Sequence, residues 1–258
     1  MSKQKEHRLK LKRGIIFRFF KKIVSLFKPR PRIINLSGED LKEKAIFLSN
    51  HAGAGGPLSY ELYFPKRVTN WGAHEMLGGY RTRWKYLYHV FYRQKLHWGK
   101  CRSFIVACLF APISILCYRA IGLIPTYTDV RFHSTVKSSF RIFDENSALL
   151  IFPEDSSEGY CEPPVSFYQG FVAMSKLYYK RNQEDVPVYN CYYSAKARLI
   201  VVSQPIYVNK LLDSGMTAED IAQEALRINH ELFADYIFPA CEMKQKRKSE
   251  AKQAKATF

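Results

Sequence analysis

The chain is short of acidic residues, with 23 Asp and Glu against 40 Lys and Arg in 258 residues. It also lacks an apolar run of about 20 residues, the length that a membrane-spanning helix needs. The longest greasy stretch, 104–118, has 15 residues with Pro112 inside it, so a buried or half-embedded helix is expected there and not a span. The six cysteines, at 101, 108, 117, 161, 191 and 241, form no C-x-x-C pair. That spacing argues against a zinc ribbon or a dithiol redox motif, and no metal is implied. Free thiols in a reducing, cytoplasmic setting are expected instead. The first apolar stretch is broken by charges and no small-residue cleavage site follows it, so no secretory signal is read. No internal repeat and no long low-complexity segment is visible.

What charge there is lies at the ends. Residues 1–32 hold 12 Lys and Arg and one Glu, and residues 243–258 hold 6 and one. Residues 33–242 hold 22 basic and 21 acidic residues and are nearly neutral. A nucleic-acid-binding domain is more uniformly basic, so that class is set aside. Basic ends also suit an anionic membrane surface. Three segments follow: a basic, amphipathic, membrane-associating one (1–32), an α/β domain (33–242) and a basic tail without structure (243–258).

The stretch 14–27 places Arg18, Lys21, Lys22 and Ser25 at i, i+3, i+4 and i+7, one polar stripe on a helix. The remaining faces carry Ile, Val, Leu and Phe. Such a helix can lie in the headgroup region of a bilayer. Pro29 and Pro31 end it. Residues 81–100, rich in Trp, Tyr, Arg and Lys, read as a helix or helical hairpin of interfacial composition.

Further on, apolar runs and helical periods alternate. Strands are expected at 44–48, 121–125, 148–152 and 186–192, with a strand pair or bent strand over 197–208. Helices are expected at 134–145 and 168–181, and from the capping box Thr217-Ala218-Glu219-Asp220 to about 236. This order predicts an α/β domain with a mixed, mostly parallel sheet flanked by helices, carrying the amphipathic membrane-surface helix at its N-terminus.

Two loops after predicted strands concentrate chemistry, where ligands gather on such sheets. Ser49-Asn50-His51 leads into Gly53, Gly55, Gly56 and Pro57, a loop that can present backbone N–H groups to an oxyanion. Phe152-Pro153-Glu154-Asp155-Ser156-Ser157-Glu158 carries three carboxylates and two hydroxyls. If the two strands are neighbours, a histidine faces a carboxylate cluster, the setting of a general base held by an acid. On the residues alone, His51 could instead fill space under the loop, and Asp155, Ser156 and Ser157 could be turn formers.

These stretches resemble the glycerolipid acyltransferases of the lysophosphatidate acyltransferase type. Ser49-Asn50-His51 with Pro57 resembles the family's first motif, and Gly122-Leu123-Ile124-Pro125 its second. Phe152-Pro153-Glu154 resembles its third, Val186-Pro187-Val188 its fourth, and Gln204-Pro205-Ile206 the later hairpin. The likeness spans 33–236. It implies that His51 takes the proton from a hydroxyl of a lysolipid-like acceptor. That oxygen then attacks the thioester of acyl-CoA or acyl carrier protein, a co-substrate and not a bound cofactor. It further implies a peripheral or monotopic protein at the cytoplasmic membrane face. Glu154, Gly53, Gly55, Gly56, Asp155, Ser156, Ser157 and Arg131 are the expected companions of His51.

The sequence departs from the family pattern at three places. The Asp that orients the imidazole is Gly56, the third-motif Arg is Ser157, and the second-motif Arg falls on Thr128, with Arg131 three residues on. Glu61, Glu154 or Asp155 could replace the missing Asp, and Glu154 is preferred because the family places that residue at the same site. Loss of both arginines argues against a phosphate-bearing acceptor head. The alternative is an acyltransferase-fold protein that binds lipid without turnover.

Overall fold

The computed structural model describes residues 15–256, with side chains from Lys21 onward apart from a few near the C-terminus. Seven strands form one sheet in the order β1-β7-β6-β2-β5-β3-β4. They are β1 (Arg32–Asn35), β2 (Ile46–Ser49), β3 (Val68–Ala73), β4 (Ile124–Thr126), β5 (Ala148–Ile151), β6 (Val188–Ser194) and β7 (Leu199–Ile206). Every neighbouring pair is parallel except β6 with β7. The expected mixed, mostly parallel sheet is therefore present.

β2, β5 and β6 are buried at every position, which is why they read as unbroken apolar runs and not as alternating ones. Their side chains still alternate between two cores. Ile46, Leu48, Leu149, Ile151 and Val188 enter one core, together with Phe171, Val172 and Ile221. Those three stand on α6 (Gly170–Asn182) and α8 (Ala218–Leu232). Phe47, Ala148, Leu150, Tyr189 and Cys191 enter the other core with Tyr60, on α2 (Gly55–Tyr63). Phe47 there meets Phe64 edge-on at 4.9 Å and stacks on Tyr189 at 5.3 Å.

The capping box forms: the Thr217 hydroxyl accepts from the Asp220 amide while the Asp220 carboxylate accepts from the Thr217 amide. Residues 197–208 give one strand, β7, followed by α7 (Val208–Asp213). The helix expected at 134–145 is α5 (Phe132–Asp144). The basic tail departs from expectation. Residues 243–256 continue α9 (Phe238–Ala256), because Ala, Lys, Gln and Glu carry helix propensity even where no apolar face is present.

The N-terminal helix α1 (Ile15–Phe27) is present, and residues 1–14 lie outside the described residues. Lys21 donates to the Glu61 carbonyl of α2, and Tyr63 donates to the Ser25 carbonyl at 3.1 Å. Part of the expected polar stripe thus faces the domain, whereas Leu26 and Phe27 stand 77% and 84% exposed.

The 81–100 segment becomes α3 (Tyr80–Lys85), continuing into a π-helical stretch, Tyr86–Lys95. After it comes α4 (Lys100–Ala120), 21 residues including Pro112. By length and composition alone, α4 could cross a membrane, and 22% of its most apolar window is buried. It turns small residues inward (Ser103, Ala107, Ala111 and Ser114). Phe104, Ile105, Leu109, Ile113 and Leu116 face outward.

Candidate functional site

β2 and β5 are adjacent and parallel, pairing Ile46 with Leu149 through Leu48 with Ile151. The two chemistry-bearing loops therefore leave the same edge of the sheet side by side. Asn50 fixes the first of them. Its side chain donates to the Tyr193 carbonyl at 3.0 Å and accepts from the Tyr193 amide at 2.8 Å, tying the end of β2 to the end of β6. The Ser49 hydroxyl lies 2.8 Å from that of Tyr60.

His51 Nδ1 lies 2.7 Å from the Gly53 carbonyl oxygen. A carbonyl only accepts, so Nδ1 carries the proton and Nε2 keeps its lone pair. Gly53 reaches this position with φ of 63° and Ala52 with φ of 44°, both left-handed. The ring stacks on Tyr160 at 4.6 Å and meets Phe152 at 4.8 Å. Burial among these rings, and after it the charge of Lys95, pushes the imidazolium down to about 4. At neutral pH the ring is therefore an uncharged base, and Nε2 has no hydrogen-bond partner among the described residues.

Glu154 comes to His51 as expected, but to its main chain and not to its ring. Oε2 accepts from the His51 amide at 2.9 Å. Orienting the ring falls to the Gly53 carbonyl. Glu154 is 5% exposed, and its Oε1 is buried with no hydrogen-bond partner. Burial raises its pKa, against the opposing effects of the His51 and Cys161 amides and of Lys95. Glu61 pairs with Lys21 at 3.8 Å.

The glycine at 56 has a steric cause. A Cβ there would collide with the His51 carbonyl oxygen, so the family's Asp cannot stand at this position in this loop. A carbonyl can set the tautomer, but it cannot match a carboxylate in stabilising the imidazolium that forms after proton transfer.

A cavity of about 1460 Å³ opens on His51, Glu154, Ser156 and Ser157. It exceeds the usual size of small-molecule sites and is lined mostly by apolar side chains, running to Phe110, Ile113 and Leu116 of α4 and to Val24 of α1. Two lysines line it, Lys21 and Lys95, and the place of Lys95 was not legible in the sequence. Lys95 lines the cavity and sits 5.5 Å over the Tyr160 ring. Burial lowers its pKa, while Glu154, Asp155 and Glu75 act the other way. The π-helical turn that delivers it is held to the Glu154 loop by two hydrogen bonds. Gln94 donates to the Ser157 carbonyl at 2.7 Å, and the Tyr160 amide donates to the Lys95 carbonyl at 3.3 Å.

The remaining expected residues have other work. Arg131 forks onto Asp129, with its Nη2 at 2.6 Å, and lies over the Tyr127 ring at 4.5 Å. Its guanidinium holds the Asp129 carboxyl down to about 2. Asp155 accepts from the Ser157 amide at 3.0 Å, a turn-forming contact. Gly55 lies against Lys28 and Tyr193. Among the described residues no group of three or more His, Cys, Asp or Glu side chains could hold a metal ion.

No protein-family model, no curated protein and no solved structure matches this chain.

Proposed function

We propose that the protein transfers an acyl chain from a thioester to a hydroxyl of a lipid-like acceptor at the surface of an anionic membrane, on its cytoplasmic face. One observation carries the reading: a neutral imidazole whose Nε2 has no hydrogen-bond partner among the described residues lines a lipid-sized apolar cavity, beside a buried carboxylate. His51 Nε2 takes the hydroxyl proton as the acceptor oxygen attacks the thioester carbonyl. The C–O bond forms, the C–S bond breaks, and the proton passes to the departing thiolate. Glu154 Oε1 accepts a hydrogen bond from a second hydroxyl or amine of the acceptor. Lys95 supplies positive charge where the oxyanion develops. The outward apolar faces of α1 and α4, both of which border the cavity, support entry from a lipid phase.

A second reading, lipid binding without turnover, is favoured by the absence of any carboxylate hydrogen-bonded to the ring among the described residues. Labelled acyl-CoA and mixed lysolipids separate the two. Transfer should fall at least about a hundredfold in His51→Ala. Equal, background-level transfer in both proteins would leave only the second reading.

A further inference from the structure

The cavity that opens on His51 has a polar side chain in its wall that the reaction does not use. Asn70 lines it and is 4% exposed. None of the hydrogen bonds or ion pairs found among the described residues uses its side-chain amide. Successive side chains of β3 alternate between the faces of the sheet. Trp71 packs against the core of α6 and α8, and Val68 enters the core of α2. Asn70 shares the face of Val68. On that face the cavity is walled by Pro57, Leu58 and Leu62 of α2 and by Phe152.

The strand register places this amide. Asn70 is opposite Leu150 of β5, and Leu150 is opposite Phe47 of β2. Asn70 therefore stands two strand spacings from β2, about 10 Å across the sheet. It is level with Phe47, well before His51 along the strand direction. A ligand whose reacting carbon sits at His51 Nε2 meets Asn70 only with a part remote from that carbon. The carboxylate on the same wall, Glu61, pairs with Lys21 at 3.8 Å.

An amide buried against hydrocarbon destabilises the fold unless a partner completes its hydrogen bonds. We propose that the cavity takes a hydrocarbon chain carrying a hydroxyl part-way along its length, with Asn70 as the partner of that hydroxyl. A hydroxyl both donates and accepts, so it matches either end of the amide. A carboxylate or phosphate only accepts, and the surrounding hydrocarbon disfavours its charge. A site built to bond a hydroxyl discriminates strongly against the analogue that lacks it. The inference rests on the reading of the cavity as a lipid site and names the chain that this site prefers.

The test is calorimetric titration of the full chain with stearoyl ligands and a positional series of their monohydroxy derivatives. The series is run as coenzyme A thioesters and, separately, as monoglycerides, so that a hydroxyl on the donor chain is told from one on the acceptor chain. In at least one arm, a mid-chain isomer should bind at least about tenfold more tightly than its parent. Asn70→Leu, checked for folding by circular dichroism, should erase that preference. Equal affinity for parent and isomers in both arms would overturn the proposal, as would a preference that survives in folded Asn70→Leu. The native chain alone must show the preference, so a variant that fails to fold leaves the isomer series to decide. Selective binding without acyl transfer would remove the transfer reading and keep this one. Transfer that ignores the hydroxyl would do the reverse.

Discussion

Helices α4 and α8 bury and expose opposite kinds of residue. α8 buries Ile221, Ala222, Ala225 and Leu232 and turns Glu219, Gln223, Arg227 and Glu231 outward. Arg227 there is forked between Glu224 and Glu231. This is the amphipathic arrangement of a helix in water. α4 packs through Ser103, Ala107, Ala111 and Ser114 and shows water its largest hydrocarbon side chains. Small residues inward and large apolar ones outward is the pattern of a helix whose surroundings are themselves apolar. Because Ile113 and Leu116 of that exposed face also border the His51 cavity, the contrast bears on how substrate arrives.

The largest effect should come from removing the outward face. Phe104→Ser, Leu109→Ser and Leu116→Ser together should lower partitioning onto anionic vesicles at least about a hundredfold, since each inserted side chain contributes up to about 1.5–3 kcal/mol. Flotation of the purified chain measures this. Unchanged flotation would dissolve the contrast between the two helices. Next, Ile221→Ala on α8 should cost about 2–5 kcal/mol of stability in urea, because the site is wholly buried. Thr217→Ala should cost about 1 kcal/mol through loss of the capping box. Smallest of all, Leu109→Ala, at 67% exposed, should change stability by less than about 0.5 kcal/mol. A cost matching that of Ile221→Ala would mean that α4 buries Leu109 as α8 buries Ile221.

Much of this frame was legible in the sequence. The apolar runs of β2, β5 and β6 could be read because these strands are buried on both faces, and Thr217-Ala218-Glu219-Asp220 marked a helix start through side-chain chemistry alone. β1 and β3 gave no comparable signal. Arg32–Asn35 has two apolar residues between polar ones, and Val68–Ala73 carries Asn and Gly. Pairing with β7 in one case, and with β5 and β4 in the other, makes them strands. In the site, the neighbouring of His51 and Glu154 was conditional on the adjacency of β2 and β5, which the sheet supplies. Which atoms of the two would meet depended on the backbone turn at Ala52 and Gly53, which sequence does not encode at that resolution. Lys95 looked like one more cation in an interfacial helix. Only the π-helical winding and the Gln94 and Tyr160 contacts turn it into the cavity. The tail went the other way: its charge concealed a composition well suited to a helix.

The ring of His51 also carries a pH signature. Its imidazolium is disfavoured in the fold, with a pKa of about 4 against an ordinary 6.5. Between those values the unfolded chain binds a proton that the folded one refuses. Stability should therefore fall as pH drops from about 6.5 toward 4, and the ring should remain a base throughout. Nitrogen-15 NMR of the labelled imidazole, titrated from pH 8 to 3 with His51→Gln to assign the signal, tests the site most directly. A proton on Nδ1, a bare Nε2 and a midpoint near 4 are expected. A proton on Nε2, or a midpoint near 6.5, would contradict a buried base open to the cavity.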